Sequence, residues 1–265
     1  MPSISSTLAA AMADSVKDVT DTLERILPKS DFPESKLFEA MRYGVLNGGK
    51  RLRPFLVMSS AQIFGVDQDC ARRTAAAVEC IHCYSLIHDD LPAMDNSDLR
   101  RGSPTVHKKF DDATAILAGD ALLTLAFEIL TDPRTHEDPQ VRCRLVTALA
   151  KASGANGMVG GQMLDLIAET TELDIGAITR LQRMKTGELI AFSAEAGAIL
   201  GKASTQHHNA LRAYAHDLGL AFQIIDDLLD AEGTEEETGK SVGRDAKAGK
   251  ATFVTILGAD RARNQ

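Results

Sequence analysis

The sequence lacks an uninterrupted apolar run of 18 residues, an alternating strand pattern, an internal repeat and a low-complexity segment. Because a helix needs about 20 predominantly apolar residues to span a bilayer, we expect no membrane span. The N-terminus has no basic region followed by an apolar core, so nothing in it indicates a secretory signal. These absences favour a cytoplasmic protein.

Positive charge and cysteine are also scarce. The chain has 29 Lys and Arg against 37 Asp and Glu, a net charge of −8 at pH 7. Phosphate backbones recruit basic surfaces, so this balance argues against nucleic acid as a partner. Cys80 and Cys83 form a CxxC pair, but no second ligand pair or βαβ pattern accompanies it. We interpret both as small helix core residues in a reducing compartment.

What the sequence does have is helical periodicity along most of its length. Apolar residues recur at spacings of three and four, which predicts an all-α fold with a single domain over 1–265. The predicted helices lie within 1–30, 34–47, 71–88, 111–131, 141–167, 174–200 and 205–230. Met184-Lys-Thr-Gly187 is a poor helix sequence, and it predicts a local kink within the helix 174–200.

One acidic cluster ends the helix 71–88. Asp89, Asp90 and Asp95 lie within seven residues, Pro92 breaks the helix between them, and Arg100-Arg101 follows. Close carboxylates repel one another, and Mg²⁺ relieves this because it binds oxygen ligands from carboxylates and substrate phosphates. A solvated acidic helix end is the alternative interpretation of this segment.

A second acidic cluster lies on the helix 205–230. The spacings of Asp226, Asp227 and Asp230 place carboxylates on one helix face, and Gln223 shares that face. The flanking residues are strongly apolar, and acids on a core helix are rarely tolerated without a partner. Two such helices predict one cavity with metal ions between them.

A basic segment follows the glycine corner Asn47-Gly48-Gly49. Lys50, Arg51 and Arg53 open the next helix, where cations oppose the helix macrodipole. This placement is unfavourable for stability, so it suggests that the segment serves an anion. A solvated basic turn is the alternative.

The three motifs together resemble those of the trans-prenyl diphosphate synthase family, and most closely its bacterial farnesyl diphosphate synthases. The resemblance rests on Asp89-Asp90-x-x-x-x-Asp95, Asp226-Asp227-x-x-Asp230 and Gly48-Gly49-Lys50-Arg51-Leu52-Arg53-Pro54, and it runs from about Arg42 to about Leu257. It implies the isoprenoid synthase fold, a helical bundle around a central cavity. It also implies a homodimer and one or two further helices beyond Gln265.

The resemblance assigns a role to each matching position. Metal ligands are implied at Asp89, Asp95 and Asp226, with Asp90, Asp227 and Asp230 close by, for three Mg²⁺ ions when diphosphate is bound. The resemblance also implies that isopentenyl diphosphate is bound by Lys50, Arg53, His82 and Arg101. The allylic diphosphate, from dimethylallyl or geranyl diphosphate, is implied to contact Arg100, Lys185, Lys240 and Lys250. Thr186 and Gln223 face the carbocation, and Gln162 and Asp165 resemble a pair near the metals.

The implied reaction is a head-to-tail condensation that gives farnesyl diphosphate. Tyr84 and Ser85 lie five and four residues before Asp89, which is about 6 to 8 Å down the helix. An aromatic ring at Tyr84 predicts a pocket floor, and the resemblance implies a C15 product from such a ring together with the four-residue spacing after Asp90. A geranylgeranyl diphosphate synthase and a non-catalytic partner subunit are the alternatives. The second aspartate motif argues against a terpene cyclase.

Overall fold

Helices make up most of the described chain. The computed structural model describes residues 4–29, 31–171, 173–233, 252, 254 and 258–264. Its α-helices are α1 (Ile4–Ile26), α2 (Ser35–Leu46), α3 (Leu52–Ile63), α4 (Gln68–Asp89), α5 (Val106–Lys109), α6 (Asp112–Thr131), α7 (Pro139–Ser153), α8 (Met158–Ala168), α9 (Ile175–Gln182), α10 (Glu188–Leu200), α11 (Thr205–Glu232) and α12 (Ala259–Arg263). A π-helical turn, Arg183–Gly187, joins α9 to α10. The predicted all-α fold is confirmed.

The extent of one predicted helix is wrong. The run 141–167 forms two helices, α7 and α8, that are separated by residues 154–157. A Cβ at position 157 would lie 2.1 Å from the carbonyl oxygen of Ala152, so the chain folds back at a distance that only glycine permits. In the sequence, the pair Gly154 and Gly157 marks this break.

By backbone proximity the chain divides into two compact units. The first unit contains Met1–Val146 with Ser193–Ser204, and the second contains Thr147–Phe192 with Thr205–Gln265. In the first unit α4 packs against α1, α2, α3 and α6. Every residue of α4 from Thr74 to Ile81 is buried. A helix that is buried on all sides is a core helix, so α4 organises this unit.

The contact between α4 and α6 depends on one glycine. A Cβ at Gly119 would lie 2.1 Å from Nε2 of His88, so a side chain there would displace the imidazole. The same Nε2 atom lies 3.0 Å from the carbonyl oxygen of Ile116. Position 119 therefore fixes α6 against the C-terminal end of α4, where the first acidic cluster begins.

In the second unit the π-helical turn is the packing centre. It contacts α8, α9 and α11. A Cβ at Gly161 of α8 would lie 2.2 Å from the backbone nitrogen of Lys185, and one at Gly219 of α11 would lie 3.4 Å from the Cα of Gly187. The predicted departure from regular helix at Met184–Gly187 is confirmed as this π-turn, a geometry that occurs often at functional sites.

Two short strands interrupt the helices after the first acidic cluster. β1 (Leu99–Arg100) and β2 (Ser103–Pro104) form an antiparallel hairpin, with Leu99 opposite Pro104 and Arg100 opposite Ser103. The sequence shows no alternating pattern here, because two-residue strands are too short to form one. The hairpin fixes the backbone of Arg100, which matters for the site.

One helix of the described chain, α6, is long and apolar enough to cross a membrane by length and composition. An 18-residue stretch of this helix has a mean hydropathy of 1.7, and 39% of that stretch is buried inside the structure. Core helices of water-soluble proteins meet the same criterion, so α6 carries no membrane assignment. The expectation that the chain has no membrane span stays a prediction.

Candidate active site

The first acidic cluster forms a tight turn at the end of α4. Asp89 is the last residue of the helix, as the position of Pro92 had predicted. The backbone N–H of Asp95 donates to the carbonyl oxygen of Asp89 at 2.8 Å, so the chain doubles back on itself. Asp89 is half-buried and Asp95 is exposed. The turn therefore brings the first and third aspartates of the motif together.

The second aspartate of this motif has a different environment. Asp90 is buried, and its carboxylate accepts hydrogen bonds from Nε and Nη2 of Arg100, at 2.7 Å each. Such a bidentate pair fixes both side chains. We had predicted that Arg100 lies near the allylic diphosphate, and its side chain retains 34% exposure beyond the pair. Asp90 thus holds an arginine beside the acidic turn.

A group of basic residues lies in the same unit, and we call Lys50, Arg53, His82 and Arg101 the cationic corner. Nη1 of Arg101 donates to the carbonyl oxygen of Gly48 at 2.5 Å. A Cβ at Gly49 would lie 2.6 Å from Cζ of Arg101, so the guanidinium rests directly on the glycine backbone. This contact joins Arg101, from the hairpin, to the corner between α2 and α3.

His82 lies among the arginines of this group. Burial, followed by the positive charges of Arg53 and Arg101, holds the pKa of His82 well below its ordinary value. The imidazole is therefore neutral near pH 7, and one of its ring nitrogens carries a donor hydrogen. The structure thus brings Arg53, His82 and Arg101 together, while Lys50 is exposed at the adjoining position.

Arg53 carries an unused donor. Its Nε is buried and has no hydrogen-bond partner within the described part of the chain. Burial lowers the pKa of Arg53, and the charge of Glu79 opposes that effect. Since arginine stays protonated in proteins, the group remains a cation. A buried donor without a partner is costly, and an anionic ligand would satisfy it.

Arg51 does not belong to the cationic corner, although the sequence placed it in the basic segment. Its side chain is 1% exposed, and Nη1 donates to Oε1 of Glu79 at 2.5 Å. The expectation that Arg51 serves an external anion is therefore wrong, because its anion is Glu79. A signal did exist, since Glu79 is an acid within an otherwise small and apolar stretch of α4.

Tyr84 and Ser85 lie one turn before the acidic cluster. Tyr84 is buried, and its ring meets the imidazole of His88 edge to face, with centroids 5.7 Å apart. Burial, with the charge of Asp89, raises the pKa of Tyr84 to about 12. Ser85 is half-buried, and its hydroxyl donates to the carbonyl oxygen of His82 at 2.9 Å. The phenol is therefore neutral and fixed within the first unit.

The second unit places an ion pair on the π-turn. Nζ of Lys185 lies 2.7 Å from Oδ2 of Asp165 in α8, and both side chains are mostly buried. Next to the lysine, Oγ1 of Thr186 donates to Oε1 of Gln223 in α11 at 3.4 Å. Gln162 and Asp165 have different surroundings. Asp165 binds Lys185, whereas Nε2 of Gln162 is buried without a hydrogen-bond partner in the described chain.

The second acidic cluster follows Gln223 on α11. Nε2 of Gln223 donates to Oδ1 of Asp227 at 2.8 Å, and Asp227 is buried. Asp226 is exposed, and Asp230 is half-buried. As in the first cluster, the middle aspartate is the buried one. The two predicted contacts Lys240 and Lys250 lie outside the described residues.

The donor set fits a hard divalent cation. Among the described residues, no three His, Cys, Asp or Glu side chains come close enough to hold an ion by themselves. Mg²⁺ is usually bound by one or two carboxylates together with substrate phosphates and water. In the first unit, Asp89 and Asp95 on one turn supply two carboxylates of this kind.

Comparison with known proteins gives a consistent result. A family model described as polyprenyl synthetase matches residues 34–265. The farnesyl diphosphate synthase of Escherichia coli strain K12 is 48% identical over 252 residues, which cover 94% of this chain and 84% of that protein. The farnesyl diphosphate synthase of Geobacillus stearothermophilus is 47% identical over 240 residues, with 90% and 80% covered.

Solved structures agree with these sequence relatives. The crystal structure of an FPP/GFPP synthase from Zymomonas mobilis, without ligand, superposes with a TM-score of 0.89 at 50% identity. The match covers 98% of this chain and 88% of that one.

Proposed function

The chain belongs to the polyprenyl synthetase family, and from that premise we propose how its residues make farnesyl diphosphate. The enzyme is a prenyltransferase that condenses isopentenyl diphosphate with dimethylallyl or geranyl diphosphate, head to tail. The observation that carries the assignment of substrates to residues is the cationic corner, which lies in the same unit as the Asp89–Asp95 turn.

The cationic corner binds the diphosphate of isopentenyl diphosphate. Arg53 offers its buried, unpartnered Nε, and Arg101 lies over the backbone of Gly49 with the remaining part of its guanidinium fork available. Neutral His82 donates one hydrogen bond, and exposed Lys50 adds charge at the rim. Guanidinium forks match phosphate oxygens in pairs, which orients the substrate as well as attracting it.

Lys185 and Arg100 bind the allylic diphosphate. Each is already held by a carboxylate, Asp165 for Lys185 and Asp90 for Arg100, so little conformational entropy is lost when the ligand arrives. Lys240 and Lys250 contribute further positive charge. Members of the family generally depend on Mg²⁺, and we propose that Asp89, Asp95 and Asp226 would hold three ions, with Asp230 close by.

Bond breaking precedes bond making in the proposed reaction. Mg²⁺ held by Asp89, Asp95 and Asp226 would neutralise charge on the diphosphate and would thereby make it a better leaving group. The allylic C–O bond breaks with its electron pair on the diphosphate, which leaves an allylic carbocation. The oxygens of Thr186 and Gln223, which are fixed by their mutual hydrogen bond, stabilise that positive charge.

The isopentenyl double bond then supplies the electrons for the new bond. Its terminal carbon attacks the allylic cation, and the positive charge passes to the isopentenyl unit. A proton is lost from that unit to the released diphosphate, and a new double bond forms. No side-chain base is needed, because the leaving group itself accepts the proton.

Tyr84 sets the product length in this proposal. Its ring is buried and pinned against His88 about one turn below Asp89, so it forms the floor of the chain pocket. A geranylgeranyl diphosphate synthase, the alternative product class, would need a smaller side chain at this level. A non-catalytic partner subunit is disfavoured, because this chain keeps both aspartate clusters.

We also propose a homodimer in the cytoplasm. Helix α6 packs on α4 through one face, yet it presents Ile116 and Leu117 at 44% and 56% exposure. A second copy of this chain is the partner that we propose for them. The four cysteines are free thiols, which fits a reducing compartment.

A product assay tests the proposal. The chain is incubated with isopentenyl and geranyl diphosphate in Mg²⁺ and, in parallel, in EDTA, and the products are hydrolysed and separated by length. A C15 product that depends on metal supports the function and the Tyr84 floor. A longer product would keep the chemistry and discard the floor, and no product from the folded chain would favour the partner-subunit alternative.

A further inference from the structure

Arg51 and Glu79 form a fully buried ion pair that the proposed mechanism does not use. Both side chains are 1% exposed. Nη1 of Arg51 donates to Oε1 of Glu79, and Nη2 donates to the carbonyl oxygen of Val45. The guanidinium therefore ties three elements together: α2 through Val45, α4 through Glu79, and the start of α3 through its own backbone.

The backbone of Arg51 is strained. Its φ is +48°, in the left-handed region that an arginine rarely adopts. Such a conformation persists only when its surroundings over-determine it, and the two hydrogen bonds of the buried guanidinium do so here. Lys50 is the residue before Arg51, and Arg53 lies two residues after it, in the first turn of α3. The conformation at Arg51 consequently sets the direction in which both of these cations leave the backbone.

Glu79 also acts on the electrostatics of the cationic corner. It lies one helical turn before His82 on α4, on the buried side. Burial lowers the pKa of Arg53 and of Arg101, and the negative charge of Glu79 opposes this for both. Its second oxygen, Oε2, has no hydrogen-bond partner among the described residues, so no further donor neutralises the charge on that oxygen.

Stability alone does not account for such a pair. Taking two charges out of water offsets most of their mutual attraction, and apolar residues of similar volume are commonly as stable or more so. A pair of this kind has its best-supported use in fixing one conformation. What it fixes here is the corner between α2 and α3, from which two of the four members of the cationic corner project.

We propose that Arg51 and Glu79 are positioning residues for isopentenyl diphosphate. The buried pair holds the left-handed turn at Arg51, and thereby aims Lys50 and Arg53 at the same diphosphate that Arg101 and His82 bind. This inference rests on the proposed function of the cationic corner. It assigns the pair to one substrate only, because Lys185 on the π-turn has its own carboxylate partner.

The test is a double variant, Arg51→Met with Glu79→Leu, which removes both buried charges together. We expect it to fold with a melting temperature close to that of the parent, since no charge is left unpaired. The KM for isopentenyl diphosphate should rise about 10- to 100-fold, because the turn at position 51 is no longer held. The KM for geranyl diphosphate should stay within about twofold, as expected when only one subsite is misaligned.

A second ion pair on α4 provides the matched control. Arg73 binds Asp132 at 2.9 Å, with side chains 14% and 20% exposed. Arg73 lies six residues before Glu79, about 9 Å along the helix axis. The double variant Arg73→Met with Asp132→Leu should leave both KM values as they are, because this pair does not hold the corner between α2 and α3.

Calorimetric binding of isopentenyl diphosphate, without allylic substrate, separates the two hypotheses. If the parent enzyme binds isopentenyl diphosphate but makes no prenyl product of any length, the proposed function is overturned, while weaker binding by the Arg51/Glu79 variant would still support the pair. A folded variant with parental KM for isopentenyl diphosphate, or with both KM values raised equally, would overturn the inference. If the double variant does not fold, Arg51→Lys replaces it, because lysine keeps the charge but lacks the guanidinium group. A raised KM for isopentenyl diphosphate with an unchanged KM for geranyl diphosphate would again support the inference, and any other result would overturn it.

Discussion

Arg100 binds Asp90 through both oxygens of the carboxylate, at 2.7 Å from Nε and from Nη2. This pair distinguishes Asp90 from the other two aspartates of the first acidic cluster. Asp89 and Asp95 meet across the turn, whereas Asp90 points inward and is committed to an arginine. Three aspartates that look equivalent in the sequence therefore differ in the structure: Asp90 fixes an arginine, whereas Asp89 and Asp95 are the two that we propose as metal ligands.

The first prediction compares two adjacent substitutions. Asp90→Asn should lower the free energy of unfolding by about 2 kcal/mol, because the buried end of a charged hydrogen-bonded pair is lost. Asp89→Asn should change stability by less than about 0.5 kcal/mol and reduce turnover far more than it reduces stability. Urea unfolding and steady-state kinetics on both variants measure the contrast. Equal stability losses would contradict the division of roles.

The second prediction concerns product length. Tyr84→Ala should give products longer than C15, because the floor of the pocket is removed, and should cost about 3 kcal/mol in stability as a buried ring is lost. Tyr84→Phe is the matched control, since it keeps the ring and removes only the hydroxyl. Chromatography of the hydrolysed products measures chain length. An unchanged C15 product from Tyr84→Ala would show that another side chain forms the floor.

The third prediction concerns the ion pair on the π-turn. Lys185→Gln should lower kcat/KM for geranyl diphosphate by about 30-fold or more, as expected when one partner of a close charge pair is removed. Asp165→Asn should lower it by less than about tenfold, because the ammonium remains and loses only the group that orients it. Initial-rate kinetics with each substrate varied in turn test this order. A larger effect from Asp165→Asn would mean that Asp165 acts on the ligand or metal itself.

The fourth prediction is a pH dependence of stability. Burial and neighbouring arginines keep the pKa of His82 well below 6.5, so below pH 6.5 the unfolded chain binds more protons at this residue than the folded chain does. Above that pH, His82 makes its full contribution to the free energy of unfolding. As the pH falls this contribution is lost, and the free energy of unfolding decreases by at most about 1.4 kcal/mol per pH unit.

Urea unfolding between pH 7 and 5 measures this slope. His82→Asn should flatten it, because the variant has no imidazole to protonate. The carboxyl groups of Asp111 and Asp132, whose pKa values are lowered to about 2, act in the same direction but only below their ordinary value of 3.8. A slope that persists in His82→Asn between pH 7 and 5 would assign the effect to another group.

Much of the site follows from local sequence rules. Pro92 predicts the end of α4 near Asp89, and the structure adds the turn in which the backbone of Asp95 returns to Asp89. The poor helix sequence around Lys185 predicts an irregular turn, and the structure has a π-turn there. Each of these features depends on a backbone property of one or two residues, so a single sequence is sufficient to reveal it.

Features that depend on partners distant in sequence were not predictable in the same way. Lys50, Arg51 and Arg53 are alike in the sequence, and only the burial of Glu79 in the middle of α4 shows that Arg51 is internal. The sequence likewise placed two arginines after three aspartates without indicating which aspartate is bound by Arg100. Pairing between charges is decided by which of them the fold removes from water, and helical periodicity does not carry that information.

The π-turn at Arg183–Gly187 acts as a phase shift between two helices. A π-turn accommodates one residue more than an α-helical turn, and each residue rotates an α-helix by about 100°. Deleting one residue within the turn would restore regular α-helix and rotate α9 by that angle relative to Glu188 and the start of α10. Lys185 and Thr186 could then no longer face Asp165 and Gln223 together. At this place the number of residues is as much a part of the active site as their identity.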